Sequence, residues 1–173
     1  MDITSRQTEC LNFVFRHEGE GQILADSDGF TKWGICSKFY PGEDIVNMTK
    51  ERASSILIKE YWPTGLTCPI DLIVFDASVN CGVSRSVRWL QATINGLIPR
   101  DHIQVDGILG PVTKAAIHFC EEHLLVLGLF HRRLLYYHTL RKTDRANYQG
   151  WIGRVIDLIG VTSKGCYVAT LKL

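Results

Sequence analysis

The chain has 173 residues, a hydrophobic fraction of 46% and a mean hydropathy of +0.03. That excludes a disordered chain and allows a core that needs no metal or disulfide. The net charge of +1 hides a split, with 7 Lys+Arg against 12 Asp+Glu in residues 1–84 and 12 against 6 in residues 85–173. An acidic half that does chemistry and a basic half that meets an anionic polymer fit this split. Cys10, Cys36, Cys68, Cys81, Cys120 and Cys166 form no C-x-x-C pair, and the six His show no H-E-x-x-H spacing. No metal and no cofactor are therefore expected. The cysteines sit mostly among apolar residues, as buried thiols do.

The N-terminal MDITSRQTEC lacks a basic stretch followed by an apolar run, so no signal peptide is expected. The first helix is predicted over about residues 4–17. Leu11, Val14, Phe15 and Glu18 fall at i, i+3, i+4 and i+7, one helix face. Gly19 follows as a left-handed C-cap. Glu18 thus ends an apolar stripe, where partial loss of water disfavours the charged form of a carboxylate.

ILADSDGFTKWGI comes next, with Asp28-Gly29 as a hairpin signal. A loop at those two residues pairs Ser27 with Phe30, Asp26 with Thr31 and Ala25 with Lys32. Opposed residues share a sheet face about 5 Å apart, so Asp26 and Thr31 form a polar pair.

The remainder reads as helices. NMTKERASSILIKEYWP has Thr49 as N-cap and Pro63 as stop. CPIDLIVFDASVNCG is apolar, and its Asp76 and Asn80 are expected to hold helices together. SRSVRWLQATING starts at Ser84 as cap and ends at Gly96. VDGILGP is a turn with Pro111 opening the helix VTKAAIHFCEEHLL. GLFHRRLLYYHTLRK and GWIGRVIDLIG supply two more helices, and TSKGCYVATLKL is either a strand or irregular. HLLVLGLF is too short to span a bilayer. Trp33, Trp62 and Trp89 are expected in the core. Tyr137 and Trp151 offer apolar ring faces as candidates for stacking on a ligand. Arg132-Arg133 and Arg141-Lys142 read as a solvated helix face, with contact to an anionic polymer as the alternative.

Four motifs in this order resemble one family. HEGEG followed by DGFTKWGI resembles the start of the glycoside hydrolase family 108 lysozymes. LIVFDASVNCGVSRSVRWLQ resembles that family's Asp-x-x-x-Asn-x-Gly helix pair leading to a Leu-Gln. VDGILGPVTKAAI is similar to the Asp-Gly-x-x-Gly-Pro-x-Thr segment of the peptidoglycan-binding region that usually follows. FHRRLLYYHTL and GWIGRV resemble that region's closing helices. The resemblance implies a mainly α, lysozyme-like helical fold with one small β-hairpin after the first helix. It divides the chain into a catalytic region at 1–95 and a helical peptidoglycan-binding-like region at 96–173, packed as one compact unit. It also implies N-acetylmuramidase activity of the phage endolysin type on peptidoglycan glycan strands. No nucleic-acid partner and no stable membrane insertion are expected. A monomer made in the bacterial cytoplasm would reach the periplasm through a holin and lyse the host.

By motif position the family's catalytic Glu carries over to Glu18. The chain departs from the family in placing Glu20 at the second Gly of Glu-Gly-Gly, and in a shorter turn before Thr31. Glycosidic cleavage needs a proton for the leaving oxygen and a second group that stabilises the oxocarbenium-like charge or guides water. Glu18 supplies the first. Asp26 is the second carboxylate on the predicted register, with Thr31 positioning a water, and Asp28 and Glu20 are its competitors. The readings that compete with the enzyme are a non-catalytic peptidoglycan-binding protein and a secreted or injected wall-lytic effector.

Overall fold

A computed structural model describes residues 3–26 and 29–170, with Asp26 and residues 164–170 described by backbone alone. The chain divides into two compact units, Met1–Trp62 and Pro63–Leu173. The boundary therefore lies at Trp62–Pro63, and the expected break at 95/96 falls inside the second unit. The reason is packing: Leu90 and Ile94 are fully buried where the helix carrying them meets later helices of the same unit.

The first unit opens with α1 (Ser5–His17). Thr4 starts it with a reciprocal cap. Its hydroxyl accepts from Gln7 N at 3.2 Å, and Gln7 Oε1 accepts from Thr4 N at 2.9 Å. Cys10, Leu11, Phe13, Val14 and Phe15 are buried on it. A 3-10 turn over Gly19–Gly21 leads into a three-stranded antiparallel sheet of β1 (Leu24–Asp26), β2 (Gly29–Lys32) and β3 (Ile35–Cys36), in that order. Two hairpins are present where one was expected. α2 (Lys50–Tyr61) begins as predicted at Thr49, whose hydroxyl accepts from Arg52 N, and it ends ahead of Pro63. Its Ala53, Ile56 and Leu57 complete the unit's core with Ile35, Ile45 and Met48.

The second unit consists of α3 (Ile70–Cys81), α4 (Val83–Leu97), α5 (Pro111–Ile117), α6 (Glu122–Leu140) and α7 (Arg145–Thr170). α3 is central. Residues 70–78 are all buried on it, and it packs on α4 and α6. A helix buried on every side has no polar stripe, which is why this segment reads as continuously apolar.

Four helix expectations change. Gly82, not Ser84, caps α4. The break between α5 and α6 lies at residues 118–121, ahead of the predicted one near Gly128. Gly128 lies inside α6, where a Cβ would overlap the Thr93 methyl. It is a point of close approach between α4 and α6, and not a helix end. The tail expected as strand or irregular chain continues α7 to Thr170, and residues 171–173 lie outside the described residues.

Side chains of α4 clasp the segment 103–108. Asn95 donates to Ile103 O at 2.8 Å and accepts from Ile103 N at 2.9 Å. Arg88 Nη1 donates to Val105 O at 2.7 Å. Gln91, 1% exposed, donates to Asp106 Oδ1, Ile108 O and Thr113 Oγ1, and accepts from Gly107 N at 2.8 Å. Gly107 has φ +81°, and a Cβ there would lie 2.8 Å from the Ser84 carbonyl oxygen. The Leu-Gln and Asp-Gly-x-x-Gly-Pro motifs thus bind each other. Gln91→Leu is expected to leave the Gly107 N–H and its neighbours unpartnered and to lower stability by about 1–3 kcal/mol. Urea unfolding reads this, and an unchanged midpoint would contradict it.

Candidate active site

Glu18 is the C-cap of α1, with its N–H donating to Val14 O at 3.0 Å and Phe15 O at 3.2 Å. It is half-buried, at the end of the stripe formed by Leu11, Val14 and Phe15. Three consecutive residues after it have left-handed backbone, Gly19 at φ +80°, Glu20 at +49° and Gly21 at +83°. This turn reverses the chain within one helical turn of Glu18 and delivers it to β1.

The second hairpin supplies the wall beside Glu18. Lys32 pairs with Ile35, so Trp33-Gly34 is a two-residue loop. Both residues have positive φ, +55° and +78°, as the favoured tight hairpin turn requires. A Cβ on Gly34 would lie 3.0 Å from Glu18 Cγ, so the Glu18 side chain rests on bare backbone. Trp33 carries an unfavourable backbone worth about 1–2 kcal/mol. Its ring meets Phe15 edge-on at 5.1 Å and covers Gly21, where a Cβ would overlap it. Trp33 is half-buried, not core, and the same holds for Trp62 and Trp89. The Lys32–Ile35 spacing around W-G was a readable hairpin signal, and reading the stretch as a single hairpin missed it.

The register of the first hairpin differs from expectation by two residues. Leu24 pairs with Thr31, Ala25 with Phe30 and Asp26 with Gly29. β2 is set from its other side. Ser37 N donates to Phe30 O at 2.8 Å, Phe30 N donates to Ser37 Oγ at 3.0 Å, and a Cβ on Gly29 would overlap that hydroxyl. Gly29 is thus a strand residue held against Ser37. A shift of two preserves the face, so positions 26 and 31 remain on one side of the sheet as diagonal neighbours, roughly 7–8 Å apart in such pairs. Thr31 is half-buried, and Asp28 lies outside the described residues.

Glu20, the other rival carboxylate, is exposed and borders an open depression of about 620 Å³ with Asn12, Arg16, Trp33 and Lys50. Lys50 Nζ lies 5.4 Å from the Phe15 ring centre and 6.0 Å from that of Trp33, and bonds Asn12 Oδ1 at 3.2 Å. Glu20 occupies a backbone position suited to glycine. Glu20→Gly is expected to raise stability by roughly 1 kcal/mol, because the left-handed cost of about 1–2 kcal/mol exceeds glycine's extra chain entropy. A urea midpoint that stays level or falls would refute this.

Of the two sugar-stacking candidates, Tyr137 is excluded by burial, at 1% exposed. Its hydroxyl donates to Asn80 Oδ1 and accepts from Arg133 Nε at 2.8 Å, and its ring stacks on Trp151 at 5.2 Å. Trp151 is half-buried, with Tyr137 against one face. Arg133 is not on a solvated face: it is 1% exposed and ion-paired to Asp76. Arg132 bonds Thr93 Oγ1 and Ala92 O. Arg141 and Lys142 are exposed, on a shallow basic surface with Arg145 and Tyr148. Cys10 is buried, Cys68 is exposed, and no disulfide joins the described cysteines. Among the described residues no helix is long and apolar enough to cross a membrane.

Residues 11–82 match the family profile Glycosyl hydrolase 108, and residues 85–156 match the profile Predicted Peptidoglycan domain. No curated protein matches the chain. Among solved structures it is similar to Brucella abortus SagA, with a TM-score of 0.76 and 24% identity over 92% of this chain and 94% of that one. The expected lysozyme-like, mainly helical fold with a small sheet after the first helix is the one found. Both profiles match in the expected order, a glycosyl hydrolase 108 region followed by a peptidoglycan domain, which is the make-up of a glycoside hydrolase that acts on peptidoglycan.

Proposed function

We propose that the protein is an N-acetylmuramidase that cuts the β-1,4 bond between N-acetylmuramic acid and N-acetylglucosamine, with Glu18 as general acid. The carrying observation is the setting of Glu18: a half-buried carboxyl on the last residue of an apolar helix stripe, braced by the backbone of Gly34. Its proton goes to the glycosidic oxygen as the C1–O bond breaks. A water then adds at C1 and releases a proton. Asp26 and Thr31, on one side of the sheet, are proposed to hold that water and to stabilise the positive charge at C1.

Holding both partners in place, together with proton transfer, supplies the rate. The proposed setting is the endolysin one: synthesis in a bacterial cytoplasm, holin-dependent release, and cleavage of periplasmic peptidoglycan by a monomer, leading to lysis.

Mass spectrometry of digested sacculi tests the reaction. Reducing muramic ends are expected. Anhydro-muramic ends would make the enzyme a lytic transglycosylase. Binding without any released fragment would leave a non-catalytic wall-binding protein, the reading supported by the peptidoglycan-domain match.

A further inference from the structure

Next to the clasped segment 103–108 lies an apolar groove of about 650 Å³ that the proposed reaction does not use. Ile103, Val112, Ala115 and Phe119 line it, and Arg100 and Asp101 stand among its walls. Positions 112, 115 and 119 recur at helical spacing along one face of α5 and the turn after it. Val112 is 67% exposed and Phe119 80%. Large apolar side chains left together in water mark a surface that something covers. Asp101 has φ +55°, a conformation that an L residue holds at a cost and that recurs where ligands are gripped.

We propose that this groove binds the stem peptide of peptidoglycan. Small alanyl methyl groups would lie against Val112, Ala115 and Phe119. A peptide carboxylate would pair with Arg100 and the ammonium of the diamino acid with Asp101. The inference rests on the peptidoglycan reading and deepens it. Charge and polarity select the peptide over the glycan. The lining residues other than Arg100 and Asp101 are apolar and offer a saccharide no side-chain partners for its many hydroxyls, each of which would lose water uncompensated. The stem peptide offers alanyl methyl groups to the apolar floor, carboxylates to its one cation and the diamino acid's ammonium to its one anion. The groove also lies within residues 85–156, the segment matched as a peptidoglycan domain.

The test uses the full chain, labelled with nitrogen-15, titrated with the sugar-free tetrapeptide L-Ala-γ-D-Glu-diaminopimelate-D-Ala. Saturable shifts are expected in the amides of residues 98–103 and 112–119. Arg100→Ala and Phe119→Ser, both at exposed positions, are expected to weaken binding about tenfold each. Tetra-N-acetylchitotetraose should leave these amides unmoved. Absent shifts, shifts elsewhere, or a response to the sugar instead of the peptide would overturn the inference. Self-association that Phe119→Ser abolishes would assign the face to a second copy instead. If sacculi are digested while the peptide fails to bind, only this inference falls. If neither occurs, the peptidoglycan reading falls with it.

Discussion

Replacing Glu18 by Gln is expected to reduce fragment release from sacculi by at least about 10²–10⁴-fold, the usual contribution of general acid catalysis. The substitution keeps the shape of the side chain. Its amide has no proton to give up to a leaving oxygen. The α1 C-cap uses the residue's backbone N–H, so the helix end is untouched. Gln at position 18 also keeps the packing against Gly34, because the atoms that approach it are Cβ, Cγ and Cδ. Circular dichroism and the urea midpoint should therefore match the parent, and binding to sacculi should persist. Near-normal release would remove Glu18 from the chemistry and reopen the choice among the acidic residues around the turn.

Asp76→Asn is expected to cost about 3–5 kcal/mol, the penalty for breaking a buried ion pair from one side. Against a typical total of about 5–15 kcal/mol, that is enough to unfold a large share of the molecules on mild heating. Asp76 is fully buried. One carboxylate oxygen accepts from Arg133 Nη1 at 2.6 Å, and the other accepts from Arg154 Nε and Nη2 at 2.9 and 2.7 Å. The two arginines are 1% and 4% exposed. One carboxylate thus serves two guanidiniums, and Arg133 Nη2 has no partner among the described residues. With Asn at 76, two buried cations lose the carboxylate they share. A triple variant with Leu at 76 and Met at 133 and 154 should lose much less, since it removes the charges together. A single variant within about 1 kcal/mol of the parent would contradict this picture.

The same residue sets an acid limit. Burial pushes the Asp76 carboxyl up, but Arg154 and Arg133 outweigh it and hold the group below the ordinary carboxylate range. A depressed folded value means the contribution to stability is complete above the unfolded value of about 3.9, and fades as pH falls toward the folded one. Urea midpoints measured from neutral pH downward should fall more steeply in the parent than in the triple variant, which keeps the other depressed carboxylates Glu43, Asp44 and Asp106.

The sequence was most readable where local rules and tertiary needs agree. Thr49, Pro63 and Pro111 mark helix ends through their own donors, acceptors and fixed φ, and each does so in the fold. Leu11, Val14, Phe15 and Glu18 recur at helical spacing, so the face ending in Glu18 is legible in the sequence. The site around it was harder to read. Asp28-Gly29 is a strong local hairpin signal, yet Ser37 holds Gly29 in a strand and the register moves by two. Gly128 resembles a helix end, yet it is the contact that lets α6 approach Thr93.

By itself, the sequence determined where α1, α2 and α5 begin, the position of Glu18 at the end of an apolar stripe, and the motifs that match the two profiles. Periodicity, capping and turn chemistry act over a few residues, and those residues are adjacent in the chain. Only the tertiary structure decided the register of the first hairpin and the packing of Gly34 against Glu18. The same is true of the burial of Tyr137 and Arg133, and of the hold that Asp76 keeps on two arginines 57 and 78 positions away. Each of those depends on which distant side chain or backbone fills the space, and chain-local preferences carry no information about that neighbour.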